Sequence, residues 1–178
     1  HMPTTRLAVC LAVPAGALLI VTTTIVSTSS LDRTVFTPGL SPDAPIAWQR
    51  TEKDCGLAAV ATLARLLGVH LPEYDILLLR YPPHAYGHRL DELARIAADL
   101  GIRLDAVRVT TAGLESIPLP AIVHLRSDHF VVLVDRSPSG WQIADPGKGI
   151  LRRPPEVVGF LASGTVLVRS KAPGLRVQ

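Results

Sequence analysis

The sequence has few cysteines and few aromatic residues. Its 178 residues include two cysteines, Cys10 and Cys55, and only 4% are aromatic. Because Cys10 lies in an uncharged N-terminal stretch, the part of the chain that follows holds a single thiol and cannot form an internal disulfide. With so few aromatic side chains, the core must be built from Leu, Val, Ile and Ala.

The sequence also lacks the common motifs for metals and phosphates. It contains no His-Glu-x-x-His, no paired Cys-x-x-Cys and no Gly-rich loop between a strand and a helix. The net charge is +3, and the arginines are scattered rather than interleaved with aromatic residues. These features argue against nucleic-acid binding. We therefore expect no cofactor, no metal and no nucleic-acid partner.

Charge is absent from residues 7–26. At about 1.5 Å per residue, a helix of that length spans about 30 Å, the thickness of a bilayer core. This length favours a membrane anchor, whereas Pro14 and Gly16, which interrupt the stretch, favour a signal peptide. We therefore expect residues 1–30 to be one of these two, with a buried core helix as the alternative. Arg6 on the short side favours a domain on the extracytoplasmic side of a bacterial inner membrane.

His1 and Met2, at the start of the chain, resemble a cloning remnant. Beyond residue 30, composition divides the chain into three parts. Residues 31–45 are rich in Pro, Ser, Thr and Gly and predict an extended linker. Residues 46–170 have the composition of a folded domain, and residues 171–178 form a short tail.

Within this domain, helical patterns come first and strand patterns second. Apolar spacing predicts helices over 55–67, 73–80, 90–100 and 155–162. Runs rich in β-branched residues predict strands over 104–109, 121–125, 130–134, 141–144 and 165–168. This order predicts an α+β fold with helices on one face of a mainly antiparallel sheet. Asp54 is a candidate cap for the first helix, which Gly68 would end.

Cys55 is predicted to lie at the N-terminus of the first helix. Unpaired N–H groups and the helix dipole favour an anion such as a thiolate at that position. Gly56 would leave room for a substrate carbonyl to approach the backbone. The same placement also suits a small buried residue, so the neighbours of Cys55 must decide between the two.

A nucleophilic thiol needs a base, and the base needs an orienting group. His129 opens the strand 130–134 and is the better candidate base, because the strand fixes it at the edge of a cleft. His124 is expected to be structural. Three further histidines lie in polar loops and are expected to be solvated: His70, His84 and His88.

Asp145 follows the strand 141–144 and precedes Pro146. If strands 130–134 and 141–144 form a hairpin, Asp145 and His129 lie near the same end of it, and the carboxylate can orient the imidazole. Asp-Pro-Gly is also a common turn sequence, so a turn role is the alternative.

Gln49, followed by the segment Asp54-Cys55-Gly56-Leu57-Ala58-Ala59, resembles the catalytic signature of the bacteriocin-processing cysteine peptidases. These papain-like enzymes are the double-glycine leader peptidases at the N-terminus of peptide-exporting ABC transporters. The resemblance covers about residues 46–170. It continues, in order, through segments 90–93, 97–101, 120–123, 129–133 and 143–146.

The resemblance implies a cysteine peptidase that cleaves a peptide or protein precursor, with small residues such as Gly-Gly before the scissile bond. Cys55 would be the nucleophile, His129 the general base and acid, and Asp145 the orienting carboxylate. Gln49 and the backbone N–H of Cys55 would form the oxyanion hole.

No transporter domain follows the peptidase-like region, and the N-terminal segment points to the opposite side of the membrane. We therefore expect a stand-alone member of this family that is membrane-anchored through residues 7–26 or exported, with a transporter or secretion system as a candidate partner. Two alternatives are a non-hydrolytic peptide-binding module and an acyltransferase or amidase on the same fold. Binding alone needs none of Cys55, His129 and Asp145, so their joint presence argues against the first.

Overall fold

The structure, a computed structural model, describes residues 45–170. The helices of this part are α1 (Cys55–Leu66), α2 (Tyr74–Arg80), α3 (Leu90–Asp99) and α4 (Pro155–Leu161), with a 3₁₀ helix over Ala112–Ser116. The strands are β1 (Leu104–Arg108), β2 (Ala121–Leu125), β3 (His129–Ser137), β4 (Gly140–Asp145), β5 (Gly149–Arg153) and β6 (Ala162–Arg169). The predicted α+β fold is confirmed.

The strands form one sheet in the order β1-β6-β2-β3-β4-β5, and every neighbouring pair is antiparallel. β3 and β4 form the predicted hairpin, in which Val132 lies opposite Ala144 and Ser137 lies opposite Gly140. The start of β3 and the end of β4 therefore lie together at the open end of this hairpin, away from its turn.

The core lies on both faces of the sheet. Alternate residues of a strand point to opposite faces, so Ile122 and Val132 pack with α1 and α3, whereas Val131 and Leu133 pack on the other face with α4. Ten consecutive residues of α1, 55–64, are buried. The central side chains are aliphatic, as the composition predicts.

The helix ends largely follow the sequence signals. Gly68 follows α1 with φ +73°, in the left-handed region that glycine adopts without steric cost. The N–H of Gly68 donates to the carbonyl of Arg65 and that of Val69 to the carbonyl of Ala64. These bonds satisfy carbonyl groups that the helix end leaves unpaired.

Asp54 does precede α1, but the expectation that its carboxylate caps the helix is wrong. The side chain makes no capping hydrogen bond, and the residue has φ −102° and ψ 10° instead of the extended backbone that capping residues usually adopt. The carboxylate turns back to the preceding loop and accepts the backbone N–H groups of Arg50 and Thr51.

Strand β5 was not predicted. Its sequence, Gly-Ile-Leu-Arg-Arg, begins in a segment with turn signals and ends in two charged residues. Within residues 45–170, β5 is an edge strand that pairs only with β4. Edge strands tolerate charged residues, which hides them from a search for apolar alternation.

Several predicted features lie outside the described residues. These are the N-terminal segment at 1–30, residues 31–44 of the linker, and the tail at 171–178. Within residues 45–170, no helix combines the length and the apolar character needed to cross a membrane.

The aliphatic core predicts a large difference between two leucines. Leu63 on α1 is fully buried, whereas Leu79 on α2 is 85% exposed. Leu63→Ala should lower the free energy of unfolding by about 2–5 kcal/mol because it leaves a cavity. Leu79→Ala, the control, should change it by less than about 0.5 kcal/mol. Urea unfolding of the full chain measures both, and equal effects would contradict this description of the core.

Candidate active site

Cys55 is the first residue of α1 and is 5% exposed. Gly56 beside it faces the core. A Cβ built on Gly56 would lie 2.9 Å from Leu93 Cδ1 and 3.3 Å from Phe130 Cδ2. Glycine here lets the start of α1 pack against α3 and β3, and the expectation that Gly56 makes room for a substrate carbonyl stays a prediction.

His129 and Asp145 meet at the open end of the β3–β4 hairpin. His129 Nε2 lies 2.9 Å from Asp145 Oδ1, and the two side chains are 22% and 6% exposed. The backbone N–H of Gly147 donates to the same Asp145 oxygen at 2.8 Å. The carbonyl of Asp145 also accepts the N–H of Lys148, which closes the turn. The two expectations for Asp145, a turn residue and a partner of His129, therefore hold together.

The surroundings of His129 favour its protonated form. Burial alone lowers the pKa of this imidazole, but hydrogen bonds with Asp145 and Cys55, together with their charges, outweigh burial and raise the pKa to about 9. Burial raises the pKa of Asp145, but hydrogen bonds from His129 and Gly147 outweigh it, so the pKa falls below its ordinary value. At neutral pH the pair is an imidazolium and a carboxylate.

Asp145 engages one of the two ring nitrogens of His129. Nε2 lies 2.9 Å from Asp145 Oδ1, and the interaction with the Cys55 side chain also raises the pKa of the ring. Since Nε2 is already used, Nδ1 is the ring nitrogen left for a second partner. The Asp145 carboxylate therefore fixes the orientation of the ring.

Gln49 lies beside the same turn. Its backbone N–H donates to the carbonyl of Pro146 at 3.1 Å, and its Nε2 donates to the carbonyl of Thr51 at 3.0 Å. Its Oε1 is buried, has no hydrogen-bond partner among residues 45–170 and packs close to Gly147. A primary amide has two N–H groups, so one remains available after the bond to Thr51.

A cleft of about 1310 Å³ opens beside Gln49 and His129. It runs across the sheet from β3 to β1, and the loop before α3 contributes a second wall. Residues on its floor and walls include His124, Thr165, Ala106, Arg108, Tyr86 and Arg89. The cleft is long enough to cross four strands, and its end at β3 reaches His129.

The other histidines differ in burial. His124 hydrogen-bonds through Nδ1 with Ser163 Oγ at 2.9 Å and packs its ring 4.8 Å from that of Phe130, although it also lines the cleft. His88 was expected to be solvated, which is wrong: it is only 8% exposed. Its Nε2 lies 3.1 Å from the carbonyl of Tyr81, because the loop before α3 folds the ring inward.

His84 is exposed, as expected, and pairs with Glu92 at 2.8 Å. His70 is exposed as well. In residues 45–170, no group of three or more His, Cys, Asp and Glu side chains is arranged to hold a metal ion.

Residues 43–173 match the peptidase C39 family, which is well over half of the chain. The chain belongs to the peptidase C39 family. The colicin V secretion/processing ATP-binding protein CvaB of Escherichia coli is 31% identical over 108 residues, which cover 60% of this chain and 15% of that protein. The probable functional amyloid protease FapD of Pseudomonas aeruginosa is 30% identical over 116 residues, covering 60% of this chain and 51% of FapD.

Among solved structures, a double glycine motif protease from an AMS/PCAT transporter, in complex with the leader peptide, superposes with a TM-score of 0.66 at 22% identity. The match covers 72% of this chain and 91% of that one. At this identity the likeness establishes the shared fold. The resemblance to the double-glycine leader peptidases of ABC transporters is confirmed. The chain matches 15–16% of the length of its transporter relatives.

The raised pKa of His129 gives a test of the paired geometry. In an NMR titration of the full chain, the His129 imidazole should titrate with a pKa of about 9, well above its ordinary value of 6.5. Asp145→Asn should lower this pKa toward 6.5, because the variant loses the carboxylate charge that favours the imidazolium while burial remains. Asp135→Asn, which changes an exposed carboxylate of β3, is the control and should leave the pKa unchanged. A pKa unaffected by Asp145→Asn would contradict the pairing.

Proposed function

We propose that this domain is a cysteine endopeptidase that cleaves a peptide or protein precursor through Cys55, His129 and Asp145. One observation carries the proposal: the His129 imidazole bonds to the buried Asp145 carboxylate at 2.9 Å, and its interaction with Cys55 at the start of α1 raises the pKa of the ring. A thiol, a base and an orienting carboxylate gathered in this way form the arrangement that acyl transfer needs. Membership of a peptidase family supports the same reaction.

The reaction would proceed in two halves. His129 already carries the proton as an imidazolium, and the Cys55 sulfur attacks the carbonyl carbon of the scissile bond as the thiolate of this pair. His129 then protonates the leaving amine as a thioester forms. In the second half, His129, now neutral, takes a proton from water, which hydrolyses the thioester and restores the thiolate beside the imidazolium. Asp145 keeps the ring in the required orientation throughout.

Gln49 and the backbone N–H of Cys55 are proposed to stabilise the oxyanion. Two contacts support this role for Gln49. Its main chain is bonded to Pro146, next to Asp145, and its amide is held by the Thr51 carbonyl with one N–H left over. A donor fixed before the reaction stabilises developing charge without reorganising.

The substrate is proposed to carry small residues, such as Gly-Gly, before the scissile bond. Cys55 is only 5% exposed, so a bulky side chain next to the reacting carbonyl would keep it away from the sulfur. The long cleft would hold the rest of an extended or helical segment. The solved relative bound to a leader peptide supports this substrate class.

The setting of the domain is also a proposal. The uncharged stretch at 7–26 supports attachment to, or export across, a bacterial inner membrane, with the peptidase domain on the extracytoplasmic side. Relatives that are secretion and processing transporters support a transporter or secretion system as the partner.

Mass spectrometry separates peptidase, transferase and binding functions. The full chain is incubated with a synthetic peptide that carries Gly-Gly before the scissile bond, with and without an added amine. We expect two products that sum to the peptide plus one water, and none with Cys55→Ala. An amine-capped product would indicate an acyltransferase. An intact peptide that still co-elutes with the protein would indicate a binding module, and either result would overturn the proposal.

The proposed oxyanion role of Gln49 predicts a kinetic defect without unfolding. Gln49→Ala should lower kcat by about 10²–10³-fold, the usual effect of losing one oxyanion donor. Gln142→Ala, which truncates a glutamine on β4, is the matched control and should retain activity. Cleavage of the same peptide is followed by fluorescence, and circular dichroism checks folding. A folded Gln49→Ala protein with normal kcat would exclude Gln49 from the site.

A further inference from the structure

Asp54 is a fully buried carboxylate next to the proposed nucleophile. It is 0% exposed. Burial raises its pKa, but hydrogen bonds from Thr51, Arg50 and Tyr74 outweigh burial, so the pKa lies below its ordinary value and the group is ionised at neutral pH. A buried charge is costly unless it is compensated.

Four donors compensate this charge. Oδ1 accepts the backbone N–H of Thr51 at 2.7 Å and its hydroxyl at 2.6 Å. Oδ2 accepts the backbone N–H of Arg50 at 2.9 Å and the hydroxyl of Tyr74 at 2.7 Å. The Arg50 guanidinium itself is directed to Asp75, 3.0 Å away. All four lone-pair sites of the carboxylate are used, and hydrogen bonds rather than an ion pair hold it.

These bonds fix the loop that carries both proposed oxyanion donors. Asp54 holds the Thr51 N–H, and the Thr51 carbonyl in turn accepts the Gln49 amide. On its other side, the Asp54 carbonyl accepts the N–H of Ala58, which starts α1 and sets the peptide that carries the Cys55 N–H. One residue thus connects the side-chain donor and the backbone donor.

Tyr74 connects this loop to α2. Its hydroxyl donates to the Asp54 carboxylate at 2.7 Å and lies 3.2 Å from the Asp54 carbonyl. The ring is buried at 6% exposure. Burial, with the hydrogen bond to Asp54, raises the pKa of Tyr74, so the hydroxyl stays a donor. A negative charge beside Cys55 does not help a thiolate form, so what Asp54 contributes to the site is geometry.

We propose that Asp54 and Tyr74 are positioning residues that hold Gln49 and the Cys55 N–H in the oxyanion-stabilising arrangement. This inference rests on the proposed function. It assigns these two residues an effect on turnover, exerted through the donors, that is separate from their contribution to stability.

The test is Tyr74→Phe in the full chain, because this change removes one hydroxyl and keeps the ring and the Asp54 charge. With the Gly-Gly peptide, kcat should fall about ten-fold, part of the loss expected for a whole donor, while KM stays within about two-fold. Tyr81→Phe is the matched control. It removes the exposed Tyr81 hydroxyl, which donates to Asp99 at 3.2 Å, and should leave both constants unchanged.

A double-mutant cycle with Gln49→Ala distinguishes positioning from a general loss of structure. If Tyr74 acts through the Gln49 donor, Tyr74→Phe should lower kcat much less, by about two-fold, once Gln49 is absent. The same factor in both backgrounds would overturn the inference. If Tyr74→Phe fails to fold, Thr51→Val, which removes another donor to Asp54, takes its place in the cycle with the same expectations.

A second readout does not depend on cleavage. The side-chain amide resonances of Gln49, assigned by their loss in Gln49→Ala, should shift in Tyr74→Phe and stay in place in Tyr81→Phe. If these resonances shift in Tyr74→Phe but the wild-type protein cleaves no peptide, the positioning is upheld and the proposed function is rejected. Unshifted resonances would reject the positioning even if the peptide is cleaved.

Discussion

The antiparallel pairing of β3 with β4 is the constraint on which the candidate site depends. With Val132 opposite Ala144, the first residue of β3 and the last of β4 come to the same end of the hairpin. His129 and Asp145 are those two residues, and they meet at 2.9 Å. A one-residue slip in register would turn the side chains of one strand to the opposite face. The register of the hairpin therefore keeps the pair together, because a slip would turn Asp145 away from the face that holds His129.

Burial and charge have opposite effects on the ionisation of His129 and Asp145. Removing His129 and Asp145 from water disfavours both ionised forms, yet each raises the stability of the charge on the other. The N–H of Gly147 supplies a third contact that holds the carboxylate in place. The ion pair persists because its hydrogen bonds are made by groups that the hairpin and its turn already fix. Little side-chain entropy remains to be lost.

Much of the fold could be predicted because its signals are local. Apolar spacing predicts α1, and turn residues predict the β3–β4 hairpin, which places His129 near Asp145. The features that were missed depend on contacts between distant segments. The burial of His88, the loop-facing carboxylate of Asp54 and the packing of Gly56 against Leu93 are set by neighbours that no local pattern specifies. The roles of the site residues follow from the family resemblance and remain predictions.

The cleft forms where the helical layer stops covering the sheet. Ile122 on β2 is fully buried beneath the helices, whereas His124, two residues later and on the same face, lines the cleft. Side chains two residues apart on a strand share a face. The same face of β2 is therefore core at Ile122 and cleft at His124. Cys55 begins α1 and is buried with the rest of its first ten residues, so a packed helix holds the thiol, while His129 lines the end of the cleft.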